Sequence, residues 1–134
     1  MTNGQGSPAA EASSIDLDGR RILIVEDEVA ISMLLEDMLT DLGAEIVGPA
    51  ARLAPALAFA EGEPLDIAIL DVNLAGETIY PVVEALARRG VPFIFSTGYG
   101  SAGITEPYRN RPVLQKPFSQ AELERQIRTA LVSP

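Results

Sequence analysis

The chain has 134 residues, 47% of them hydrophobic, which suffices for one domain with a buried core and is too short for two. It holds no cysteine and no histidine, which excludes disulfides, thiolate chemistry, imidazole bases, Ser-His triads and ordinary zinc sites. A net charge of −9 argues against nucleic acid or an anionic membrane as direct partner; with no signal-peptide pattern and no apolar run near the ~20 residues a bilayer needs, the expectation is a cytoplasmic protein.

Residues 1–19 (MTNGQGSPAAEASSIDLDG) carry few large apolar groups and read as a flexible tail before a folded unit at 20–132. ILIV at 22–25 is a continuous β-branched run, the pattern of a strand buried on both faces. A helical stripe follows in Ile31, Leu34, Leu35, Met38 and Leu42, with Gly43 as its C-terminal stop. EIVG at 45–48 is a weaker second strand, and 53–60 reads as a helix with Pro55 in its first turn. IAIL at 67–70 is the third strand and 81–89 the third helix. FIF at 93–95 and 113–115 are the fourth and fifth strands. The last helix, from Ser119 to about Leu131, opens with Ser119-x-x-Glu122, a capping box. Between the last two strands, GSAGITEPYRNRP lacks an apolar stripe, so the fourth helix is expected to be short or poorly ordered.

Strands alternating with helices imply right-handed βαβ units and a parallel sheet covered on both faces. The fold class is α/β, a doubly wound five-stranded parallel sheet of flavodoxin-like (βα)5 type with strand order 2-1-3-4-5. Glu26, Asp27 and Glu28 follow the first strand, Asp71 the third, Thr97 the fourth and Lys116 the fifth. All stand at carboxyl ends of strands, where open α/β sheets bind ligands, and the acids meet at the switch point between strands one and three. Clustered carboxylates need a compensating positive charge. Two candidates are a hard divalent cation such as Mg²⁺ and Lys116, the single lysine of the chain. A carboxylate beside a cation is also a nucleophile toward a phosphoryl group.

ILIVEDE, ILDVNL, the threonine after the fourth strand and KPF before a capped helix resemble the receiver domain of two-component response regulators. The resemblance implies that Asp71 is the phosphoacceptor and that Glu26 and Asp27 hold Mg²⁺, with Asn73 offering its backbone carbonyl to the metal. It implies a switch hydroxyl in Thr97, a phosphoryl-pairing ammonium in Lys116 and a cis Lys116–Pro117 peptide. Three departures stand out: Glu26 replaces the commoner aspartate, Ala75 stands where many receivers have proline, and Val113 replaces an inward-swinging aromatic. The aromatic appears instead as Tyr99 in PFIFSTGYG, a string similar to the FATGUY subgroup, which assigns Tyr99 the switching role. Gly98-Tyr-Gly-Ser-Ala-Gly103 fits a dinucleotide fingerprint but lies after the fourth strand with no helix behind it, so that reading is rejected.

The expected protein is a stand-alone receiver, a phosphoacceptor rather than an enzyme, which catalyses only its own phosphorylation and dephosphorylation. Its expected donor is a sensor histidine kinase, of the HWE or related type, or a histidine phosphotransfer protein. The last helix ends near the C-terminus, so output is expected through a non-covalent partner such as a downstream regulator. The alternative is a pseudo-receiver, a binding module that never uses its phosphorylation site. A phosphatase reading needs a general acid two residues after Asp71, and Asn73 cannot serve.

Overall fold

The β-branched runs of the sequence become the central strands of a computed structural model that describes residues 15–98, 104 and 108–132. In chain order the elements are β1 (Arg21–Val25), α1 (Val29–Asp41), β2 (Glu45–Ala50), α2 (Leu53–Gly62), β3 (Ile67–Asp71), β4 (Asn73–Leu74), β5 (Glu77–Thr78), α3 (Tyr80–Arg88), β6 (Phe93–Thr97), β7 (Val113–Gln115) and α4 (Gln120–Val132). Five strands form one sheet in the order β2-β1-β3-β6-β7, each pair parallel, which is the doubly wound order the sequence predicts. Successive side chains of a strand point to opposite faces. Leu23, Val25, Leu70, Phe93 and Phe95 therefore pack in one layer, with Ala56 and Ala60 of α2 and Val82, Val83 and Leu86 of α3. Ile22, Ile24, Ile67, Ile69 and Ile94 pack in the other, with Leu35 and Leu39 of α1 and Leu123 and Ile127 of α4.

Several expectations need correction. Leu17, inside the segment expected to be a tail, is 1% exposed within the second layer. Its amide donates to the Leu42 carbonyl and that of Gly19 to Gly43, so one apolar side chain and two backbone bonds tie the segment down. Residues 1–14 lie outside the described ones. In α1, Leu34 is 39% exposed; the rest of the expected stripe holds, with Leu35 buried and Ile31, Met38 and Leu42 packed against the layer, and Leu39 joins it as a buried residue. The capping box at α4 is half formed. Ser119 Oγ accepts the Glu122 N–H at 3.1 Å, but the Glu122 carboxylate accepts from Arg125 and Gln126. Between β6 and β7 the described residues hold a single 3-10 turn at Tyr108–Asn110; residues 99–103 and 105–107 lie outside them.

Two local features position the site. Gly48 has a φ of +90°, and a Cβ there would lie 2.9 Å from the Ala50 nitrogen and 3.1 Å from the Ile24 carbonyl. The β1–β2 register shifts beside it, and the Ala50 carbonyl then accepts the Glu26 N–H at 2.9 Å. The second feature is an antiparallel hairpin absent from the sequence reading, with Asn73 opposite Thr78 and Leu74 opposite Glu77. Its two loop residues, Ala75 and Gly76, have φ of +52° and +82°. Two positive φ angles match the twist of a two-residue hairpin, and the Ala-Gly pair lacks the Asn-Gly signature that marks such loops.

Candidate functional site

Parallel pairing of β1, β3, β6 and β7 brings Glu26, Asp71, Thr97 and Lys116 to one sheet edge. Glu26 is 2% exposed, and Asp71 and Thr97 are each 5% exposed. The Lys116 N–H donates to the Thr97 carbonyl at 2.8 Å, and the Lys116–Pro117 peptide is cis, as the resemblance implies. From there Nζ reaches Glu26 Oε1 at 2.9 Å, Glu28 Oε1 at 3.1 Å and Asp71 Oδ2 at 3.3 Å. The ammonium thus answers three carboxylates.

Backbone amides hold the acids from the other side. Asn73 N–H donates to Asp71 Oδ1 and Ala75 N–H to Asp27 Oδ2, each at 3.0 Å. The second bond gives a physical reason for the departure at Ala75. Proline has no N–H to donate and its φ is locked near −65°, far from the +52° seen here. Glu28 N–H donates to Glu26 Oε2 at 3.0 Å.

Glu26, Asp27 and Asp71 each present an oxygen within 4.8 Å of the others. Glu26 Oε1 meets Nζ as an ion pair at 2.9 Å, while Oε2 accepts the ammonium's hydrogen bond at 3.1 Å. Three converging carboxylates, two of them buried, against one protein-borne ammonium fit a hard divalent cation such as Mg²⁺, which takes oxygen ligands. Burial, then the neighbouring Glu26 charge, pushes the Asp71 carboxyl up from 3.8 to about 7; the Asn73 N–H and then the Lys116 charge pull the other way without prevailing. For Lys116 the balance reverses. Burial lowers its pKa, but bonds to Glu26 and Glu28 and the charge of Asp71 raise it above the ordinary 10.5.

Residues 22–128 match the family model described as the response regulator receiver domain. The chain belongs to the response regulator receiver family. It is similar to the transcriptional regulatory protein PdtaR of Mycobacterium tuberculosis, 35% identical over 108 residues and covering 78% of this chain and 53% of PdtaR. The receiver therefore spans about half the length of that curated relative. Among solved structures it resembles SdrG from Sphingomonas melonis, with a TM-score of 0.78 and 47% identity over 85% of this chain and 98% of SdrG. It also resembles the receiver domain of the sensor histidine kinase PA1611 from Pseudomonas aeruginosa, which has a magnesium ion in its active-site cleft; there the TM-score is 0.71 and identity 27%, over 86% of this chain and 99% of that one.

Of the residues singled out from the sequence, the receiver fold gathers Glu26, Asp27, Asp71, Thr97 and Lys116 at one edge, with Asn73 beside them on β4. Tyr99 lies outside the described residues. Glu28, placed by the sequence among the acids after the first strand but given no role of its own, pairs with a lysine 88 positions away. One participant was missed. The Ala75 N–H was invisible because its use depends on a loop type the sequence does not signal.

Proposed function

We propose that this receiver accepts a phosphoryl group on Asp71 from a histidine kinase or histidine phosphotransfer protein, with Mg²⁺ at Glu26, Asp27 and Asp71 and the Asn73 carbonyl. The observation that supports it is the pairing of Asp71 Oδ2 with the Lys116 ammonium at 3.3 Å inside a ring of cation-ready carboxylates. The magnesium ion in the cleft of the PA1611 receiver adds weight to the metal assignment.

The chemistry follows from these side chains. An Asp71 oxygen attacks phosphorus, the P–N bond to the donor imidazole breaks, and its electron pair leaves with the imidazole nitrogen. Lys116 neutralises a phosphoryl oxygen, and the Thr97 hydroxyl donates to another once Thr97 turns toward it. A bound Mg²⁺ supplies charge neutralisation and draws the Asp71 pKa back down, keeping the nucleophile ionised. The receiver turns over no separate substrate, so its catalysis is confined to its own phosphorylation and dephosphorylation. It signals by shifting between two states of the face around Thr97, with Tyr99 following and with a downstream protein reading the result. The donor is placed among HWE or related kinases by the FATGUY-like string alone.

Incubation with a small acyl-phosphate donor and Mg²⁺, followed by intact mass, tests the proposal. The expected result is one phosphoryl adduct on the wild type and none on Asp71→Asn. An adduct undiminished in Asp71→Asn, or no adduct on the wild type, sinks it.

A further inference from the structure

Only one of the three carboxylates around Lys116 lies outside the trio that offers oxygens to a cation. Glu26 and Asp71 belong to that trio and are buried; Glu28 does not, and its side chain is 62% exposed. Glu28 precedes α1 and makes no side-chain cap to it, so the helix start does not hold its carboxylate. Lys116 does, at 3.1 Å.

A divalent cation on Glu26, Asp27 and Asp71 competes with the ammonium for the same buried oxygens, and the two positive charges repel strongly at such short range. The ammonium must loosen its hold on Glu26 and Asp71 without leaving the site, because an incoming phosphoryl group needs it there. We propose that Glu28 is a positioning residue, the anchor that carries Lys116 at the rim while a cation occupies the floor. The inference rests on the receiver-site reading above. Glu28 acts through Lys116 and touches neither the cation nor the phosphoryl group. Its role is an exchange: the ammonium passes from two buried carboxylates to one exposed carboxylate as the cation enters.

Two measurements on the full chain test it. Lys116 is the sole lysine, so selective ¹³C-lysine labelling gives one Cε signal that reports on this ammonium. Glu28→Gln should displace that signal further with Mg²⁺ present than without it, because Glu28 is then the chief partner. A displacement that shrinks or vanishes on adding Mg²⁺ overturns the proposal.

The second measurement is a double-mutant cycle on the Mg²⁺ dissociation constant, read from backbone amides at 26–28 and 71–73. Glu28→Gln should weaken Mg²⁺ binding by about threefold more with Lys116 in place than in the Lys116→Met background. Equal weakening in both backgrounds leaves only a diffuse charge effect and overturns the proposal while the metal site stands. No Mg²⁺ response at those amides in the wild type overturns the receiver-site reading itself, and this inference with it.

Discussion

Lys116 Nζ lies 3.3 Å from Asp71 Oδ2, although the two residues stand 45 positions apart. The β3–β6 and β6–β7 registers, not any local motif, close that gap. Both side chains are largely buried, at 13% and 8% exposure, so breaking the pair strands a charge away from water.

Lys116→Met should therefore destabilise the Mg²⁺-free protein by roughly 3 kcal/mol at neutral pH, measured by urea unfolding. Added Mg²⁺ should recover most of that loss, because a cation on the same oxygens replaces the missing charge. The pH sign follows from the raised Lys116 pKa: its contribution is fully present below the ordinary 10.5 and fades above it.

Asp71 has the opposite effect on the Mg²⁺-free protein. Its folded pKa of about 7 exceeds the ordinary 3.8, so between those values the folded state binds more protons than the unfolded one. This group's contribution is present below pH 3.8 and is lost as pH rises through about 7. Asp71→Asn should thus be more stable than wild type by roughly 2 kcal/mol at pH 8 in EDTA, with the difference closing toward acid pH. Urea midpoints across a pH series check this.

Ala75→Pro imposes a φ the loop cannot adopt and deletes the donor to Asp27 Oδ2. The expected loss is about 2 kcal/mol or more, with weaker Mg²⁺ binding, read by thermal melts with and without the cation.

Gly48→Ala places a Cβ against the Ala50 nitrogen at 2.9 Å on a residue with φ of +90°. Both effects distort the turn whose Ala50 carbonyl holds the Glu26 N–H. A destabilisation of about 2 kcal/mol is expected, together with shifted Glu26 and Glu28 amide resonances.

Leu17→Ala should lower stability by about 3 kcal/mol, since Leu17 is fully buried in the layer it shares with Leu35, Leu39 and the sheet. A loss within experimental error in the urea midpoint would mean the folded unit starts later than residue 17.

The sequence by itself determined the three central strands, because a parallel strand buried on both faces must be apolar throughout, as ILIV, IAIL and FIF are. It also determined which polar residues share the sheet edge, since each follows a strand directly and parallel strands end on the same side. Tertiary structure alone decided how those residues are joined. The ammonium of Lys116 chooses among Glu26, Glu28 and Asp71 by strand register and side-chain reach across 45 to 90 positions. Asp27 turns to Ala75 because a hairpin with two positive φ angles aims an amide at it. Leu17 joins the core because α1 ends where its backbone can bond to Leu42. Periodicity records which side chains leave water; it carries no record of which distant partner satisfies a charge or a backbone donor, and that is where this site acquires its chemistry.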